Sequence, residues 1–521
     1  MQTKAPRWGF MNGLMHICQS DPVLMHFMLA VVGHEVSTTE RQPDEQLQAI
    51  EHYRRGLVDF NMKIANGDYE RHTLLIAIWL LVQYELRFAE RGRDIQRHFE
   101  GFNQAILAYN YDLLPGLKPP STSTSSPNSD KGKAPEQSPF MGINPNQLPG
   151  QSAFKLPRSL YSNVINRLGL WVAYQDACAA TFDLDGGVMY TLLHTFDSNS
   201  IHRIFAGSRE ALKDIWGDEY PATEALDDLQ NRPAFDAYHE FHILRFQISE
   251  FRKWSIPKIL ACLNSPAQSQ TQDRNLTLET YFQSRDALIN TINSLSQQYS
   301  SLIKIASTWP SPTQNADRLT LNLRFIIAFF HSCILEFYSL LSDPKLPSLN
   351  STTVTNISRV STPVIPYTPG PNPFSPTSTY QGDSSTTPSA SQHHPSPQSI
   401  SSQSSKPPGS TQLPQPGETA LSQILKICTI VYETEGLSSL SRCNWPLFVA
   451  GVESRDVVHQ SWCVERLAEL GGKGFNNVRA NRVVRAVVGI RRGLAVGIGD
   501  GSRDLNWREW IRSGRFEEFV V

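Results

Sequence analysis

Apolar residues recur every three or four positions along much of the chain, and the alternation of a half-buried strand is nearly absent. The pattern therefore predicts an all-α fold. Asp21-Pro22 opens one helix, because Asp can cap free N–H groups and Pro suits the first turn. The next helix spans about 45–66, with Leu47, Ile50, Tyr53, Leu57, Phe60 and Ile64 on one stripe. Asn66-Gly67 supplies its left-handed stop. A third, about 69–90, contains LLIAIWLLVQYEL and is apolar nearly all round, as expected of the central helix of its block. Gly92 ends it, and a fourth helix follows over about 94–109. Later helices are expected near 158–181, 207–217, 233–263, 276–307, 316–341, 419–433, 456–470 and 475–492. The stretch 279–307 carries a stripe of Tyr281, Leu288, Ile292, Leu295, Tyr299, Leu302 and Ile305.

Two segments break this pattern, 113–157 and 342–418. Of the 60 residues from Ser351 to Ser410, 36 are Ser, Thr or Pro. Such a stretch buries too little apolar area to offset its ordering entropy, so both segments are expected to be disordered linkers. Three ordered blocks remain, 8–112, 158–341 and 419–521, expected to pack as one body. No repeat of fixed period argues for a solenoid.

Composition narrows the classes. The 521 residues carry 47 Lys+Arg against 49 Asp+Glu, a net charge of −2 that gives no overall pull towards nucleic acid or membrane. Seven widely spaced cysteines, of which Cys428 and Cys443 are the closest pair, argue against a disulfide framework and a CxxC zinc site. Met1–Gly13 contains Trp8 and two glycines and does not read as a secretory signal. The most apolar run, Leu74–Val82, is nine residues where about 20 are needed to cross a bilayer. The expectation is a soluble protein of a reducing compartment.

Catalytic templates mostly fail. His34-Glu35 lacks the second His of a zincin, and no GxSxG elbow or Walker loop is present. Gly471-Gly472-Lys473-Gly474 and Gly497-Ile498-Gly499-Asp500-Gly501 read as turns. Asp227-Asp228-Leu229-Gln230-Asn231 has Asn where a magnesium clamp wants a third carboxylate, so it reads as a solvated helix end. Glu85, on an apolar helix, reads as a structural hydrogen-bond partner rather than a general base. His16, Cys18 and His26 lack an evident fourth zinc ligand. Arg479, Arg482, Arg485, Arg491 and Arg492 read as a solvated face opposite Val478, Val483, Val484, Val487 and Val488, with cations well placed at a helix C-terminus. The alternative for these arginines is phosphate contact. Five Ser/Thr-Pro dipeptides make Thr362, Thr368, Ser375, Thr387 and Ser396 candidate phosphorylation sites. No catalytic, cofactor-binding or metal-ligating residue is assigned.

Residues 74–106, LLIAIWLLVQYELRFAERGRDIQRHFEGFNQAI, resemble a signature of the fungal-specific transcription factor domain, the helical regulatory region of zinc binuclear cluster regulators. The family pattern is an apolar helix ending in Tyr-Glu, a short break, then His and Gly. Here these are Tyr84, Glu85, His98 and Gly101. Upstream, DPVLMHFMLAVVGHE and HYRRGLVDFNMKI resemble the family's first two helices. WPLFVAGVESRDVVHQSWCVERL (445–467) and LNWREWI (505–511) resemble its late segments. Phe102 stands where a small residue is usual, and the linkers are long. The family's N-terminal six-cysteine module, which holds two zinc ions and reads DNA, is expected to be absent from this chain.

The resemblance implies a nuclear regulator of RNA polymerase II transcription with no enzymatic activity. It implies no cofactor in this chain, since the family's zinc belongs to the absent module. Implied partners are transcriptional co-regulators, a DNA-binding relative or a second copy, with DNA only through an upstream module and no membrane. Alternatives are an all-helical scaffold or adaptor without transcriptional role, and a helical enzyme.

Overall fold

The computed structural model describes residues 9–40, 43–88, 93–109, 114, 117, 158–197, 199–209, 217–264, 271–310, 317–342, 346, 415–473, 475–492 and 507–512. Among these residues every regular element is a helix, so the all-α expectation holds. The first part contains α1 (Phe10–Gln19), α2 (Pro22–Glu40), α3 (Pro43–Asn66), α4 (Arg71–Phe88) and α5 (Arg93–Tyr109). The middle contains α6 (Arg158–Ala179), the short α7 (Val188–Tyr190), α8 (Ser200–Ser208), α9 (Ala222–Glu250) and α10 (Ile256–Asn264). It continues with α11 (Thr271–Gln298), α12 (Ser300–Ala306) and α13 (Arg318–Leu341). The last part contains α14 (Pro416–Leu440), α15 (Asn444–Glu453), α16 (Val457–Glu469), α17 (Phe475–Arg491) and α18 (Trp507–Arg512).

The start of α2 follows its sequence. Asp21 Oδ1 accepts from Val23 N at 2.8 Å and Leu24 N at 3.4 Å. The stop of α3 does too. Gly67 lies at φ 66°, and Asp68 N reaches back to Lys63 O at 3.0 Å, the double-back of a left-handed cap. In α4 every residue from Thr73 to Glu85 is buried, as a helix apolar on all sides requires. It packs on α2, α5 and α6, and α17 reaches it from the far end of the chain, where Asn476 Nδ2 donates to Leu86 O.

The stripe expected on α3 is only partly correct. Phe60 is buried, but Leu47, Ile50 and Ile64 are exposed. The face that meets α2 uses small residues instead. Ala49 packs beside Gly33, and a Cβ at Gly56 would lie 2.8 Å from the Phe27 ring. Close helix approach selected the small residues, and the bulky ones were turned outward. The amphipathic stripe of 279–307 also breaks. Tyr281, Leu288, Ile292, Leu295 and Tyr299 are buried, whereas Ile305 is exposed. Tyr299 leaves helical geometry (φ −102°, ψ 17°), so α12 starts in a new register.

Two further helix boundaries shift. A helix expected from 233 begins at Ala222 and carries Pro233 inside it, followed by a π-helical turn at Phe251–Ser255. The helix expected near 207–217 lies mostly outside the described residues; α8 (Ser200–Ser208) precedes it. The expected linker 113–157 begins with two packed residues, Leu114 and Leu117, and Leu117 O accepts from Arg203 Nη2 at 2.9 Å. At the other linker α14 starts at Pro416, a first-turn proline that the block boundary at 419 missed. The remainder of both segments lies outside the described residues.

Among the described residues one helix, α13, is long and apolar enough to cross a membrane by length and composition, and 83% of its apolar window is buried inside this fold. It packs on α9, α12, α14 and α15. All seven cysteines are free.

The middle of the chain docks on α5 through the turn 183–187. Gly186 approaches so closely that an added Cβ would collide with the backbone of Phe99 and Glu100. Asn103 Nδ2 donates to Gly186 O at 3.0 Å. From beneath, the fully buried Asp176 accepts from Gly186 N at 2.6 Å and Met189 N at 2.9 Å. Asp183 and Asp185 are tied to Arg252 and Lys253.

Gly186→Ala is expected to lower stability by about 2–3 kcal/mol, because backbone rather than a flexible side chain must yield. Urea denaturation checks this, and an unchanged midpoint would contradict the docking geometry. A second prediction concerns pH. Burial, reinforced by Asp185, pushes the Asp176 carboxyl up to about 7, against the two N–H groups and Lys253. A carboxyl whose folded pKa is raised favours the fold in its protonated form. Its contribution is full below the ordinary carboxylate range and is lost as pH rises through about 7. The urea midpoint should fall across that window, and Asp176→Asn should flatten the fall; an equal slope in the variant would refute the assignment.

Candidate functional site

The late motifs of the sequence converge on a buried cluster of rings and charges between the middle and last parts of the chain. Trp445 and Phe448 lie on α15, and their rings stack with centroids 5.4 Å apart. Trp507 of α18 meets Phe448 edge-on at 5.1 Å. Phe182, just past α6, touches all three, at 5.9 Å from Trp445, 6.5 Å from Phe448 and 6.2 Å from Trp507. Such edge-to-face contacts add about 0.5–1.5 kcal/mol per pair beyond the burial itself.

Charges enter this cluster from four helices. The Arg245 guanidinium of α9 lies 4.0 Å from the Trp445 ring and 5.5 Å from that of Phe329. Its Nη1 sits 3.0 Å from Cys178 Sγ, and Nη2 lies 3.4 Å from both Cys178 O and Thr181 Oγ1. Burial pushes the Cys178 thiol up, against the opposing pull of Arg245. Glu336 of α13 is 1% exposed, and neither carboxylate oxygen accepts a hydrogen bond among the described residues. Its counter-ion is Arg508 of α18, whose Nη2 lies 3.8 Å away. Arg508 Nη1 also lies 3.3 Å from Glu453 Oε1, which accepts from Trp507 Nε1 at 2.9 Å. Farther along α13, the fully buried Arg324 pairs with Glu435 at 3.5 Å and Thr434 at 3.2 Å.

The early motif forms a second cluster. Glu85 is 8% exposed and accepts from Tyr53 Oη; His98 Nε2 lies 4.0 Å away. Tyr53 stacks on Tyr84 at 4.0 Å, and His34 stacks on Phe88 at 3.9 Å. Glu85 thus accepts a hydrogen bond inside the fold, the kind of contact its position on an apolar helix suggested. Gly101 faces open space, with nothing within 4 Å of where a Cβ would stand.

Other singled-out residues separate. Asp227 and Asp228 stand inside α9 rather than at a helix end. They diverge, Asp227 to Arg318 at 2.9 Å and Asp228 to Tyr220 at 2.6 Å. The arginines of α17 do not form one solvated face. Arg482 and Arg485 are exposed, but Arg479 is buried. Arg491 donates to Val452 O, and Arg492 donates to Val457 O at 2.9 Å and to Gln460 Oε1 at 3.1 Å. Val483, Val484, Val487 and Val488 are buried opposite, as expected. His26 Nδ1 meets His52 Nδ1 at 2.9 Å, while Cys18 is fully buried with its thiol pushed up to about 12. Among the described residues, those that do bring metal-ligand atoms together are His202, His239 and Glu240. Thr362, Thr368, Ser375, Thr387, Ser396 and the 497–501 glycine run lie outside the described residues.

Sequence reasoning missed Arg245, Glu336 and Cys178. A signal existed: each of the two charges interrupts an apolar helical run, HILRFQI and HSCILEFY. A buried ion pair that loses one partner costs about 3–5 kcal/mol, because the other charge stays buried. Arg508→Met and Glu336→Leu are each expected to cost that much in urea denaturation. The double variant should recover part of the loss. Strictly additive losses would show that the two side chains are not coupled.

Comparison with protein-family models, with curated proteins and with solved structures finds no match for this chain.

Proposed function

We propose that this chain is a regulator of RNA polymerase II transcription, acting as the regulatory body of a fungal zinc-cluster factor in the nucleus. What supports the reading is the resemblance of residues 74–106, 445–467 and 505–511 to that family's motifs. The residues that carry the resemblance also do structural work in this fold. Tyr84 and Glu85 organise one buried cluster with Tyr53 and His98 nearby. Trp445, Glu453 and Trp507 close the other.

In this reading the helical body carries no catalytic step. An inducer or partner that binds one packing of the helices better than another shifts their populations and so switches output. DNA contact comes from a relative, or from a six-cysteine module outside these residues. The buried Arg508–Glu336 contact is one place where such a shift would be costly, and hence selective.

Tethering the chain to a heterologous DNA-binding domain upstream of a reporter tests the reading. The expected outcome is a reproducible change in reporter output, either activation or repression, with nuclear enrichment of the tagged chain. Silence in both assays would remove the transcriptional reading in favour of a helical scaffold or adaptor.

A further inference from the structure

We propose that His202, His239 and Glu240 form a zinc site that fastens α8 to α9. His202 Nδ1 and His239 Nε2 face each other at 3.0 Å. The ligand atoms of all three residues lie within 4.8 Å of one another. Tetrahedral zinc, with Zn–N bonds of about 2.0–2.1 Å, holds two imidazole nitrogens roughly 3.3 Å apart. The two rings need to open by only a few tenths of an ångström, and Glu240 needs to swing inward.

The surroundings suit the ion. The His239 ring is held flat against Phe205, with centroids 4.1 Å apart and planes 2° from parallel. Tyr174 Oη lies 2.7 Å from His239 Nδ1. With zinc on Nε2, the ring proton resides on Nδ1 and is donated to Tyr174 Oη, the outer contact that fixes a ligating imidazole. In the metal-free protein the same atoms form a Tyr174–His239–His202 hydrogen-bond chain. Asp236, one turn before Glu240, is paired with Arg209, whereas Glu240 has no such ion pair among the described residues. His239 is buried, but His202 and Glu240 are half-exposed, so an ion can enter from solvent. Two imidazoles and one carboxylate favour zinc over magnesium or calcium, and leave the fourth position to water.

The test uses the purified full chain after chelator treatment. Cobalt(II) should give the visible absorption of a tetrahedral site, and zinc should displace it at one ion per chain. Zinc should also raise the melting temperature. His202→Asn and Glu240→Gln should each weaken zinc binding at least 10-fold and shrink the rise in melting temperature that zinc gives, measured against each variant's own metal-free value. Tyr174→Phe should weaken it about 10-fold through the outer contact. His26→Asn with His52→Asn should have no effect. Absence of the cobalt spectrum, or zinc binding that survives the His202 and Glu240 variants, would overturn the proposal.

Discussion

A helix that is apolar around its whole circumference has to be covered on every side, and among the described residues α4 and α13 are long helices of this kind. In α4 burial is continuous from Thr73 to Glu85, and in α13 it runs almost unbroken from Asn322 to Phe337. Neither can be satisfied by its sequence neighbours alone. The cover for α4 comes from α2 and α5 nearby, from α6 across the first long segment, and from α17 near the other end. For α13 it comes from α9, α12, α14 and α15. Burial of apolar side chains, at about 1.5–3 kcal/mol for each large one, therefore joins stretches that long Ser/Thr/Pro-rich sequence separates.

That burial carries charges inward. Arg324 and Glu336 ride on α13, and Arg245 on α9. An isolated charge in such surroundings is untenable, so each position dictates what must stand beside it. Glu435 answers Arg324, and Arg508 answers Glu336. Arg245 is answered by the Trp445 face and the Cys178 and Thr181 oxygens. The histidines of the same core are held neutral by burial, with His331 lowered to about 4. The tryptophans of the last segments matter here for electrostatics as much as for packing.

The sequence announces strongly periodic or uniformly apolar helices and their caps. Asp21, Gly67 and the run through α4 read directly. It misleads where packing selects small residues. The bulky positions of α3 suggested one face, and Ala49 and Gly56 chose another. It is silent on pairings between distant positions. Glu336 can be recognised as an anomaly in an apolar helix, but nothing local names Arg508 as its partner. Asp227 and Asp228 read as a solvated helix end, but α9 starts earlier, at Ala222, and continues through Pro233. The approach of His202 to His239 depends on how α8 returns over α9, which periodicity does not encode.

The order in which the ribosome releases the chain gives the Arg508–Glu336 contact a further meaning. Glu336 emerges early, on a helix too apolar to remain in water, while its counter-ion and the Trp507 ring emerge much later. Until then the α13 carboxylate lacks this counter-ion, so the contact can form only after the last segment has been made. A chain that ended before Arg508 would leave the buried Glu336 without this counter-ion.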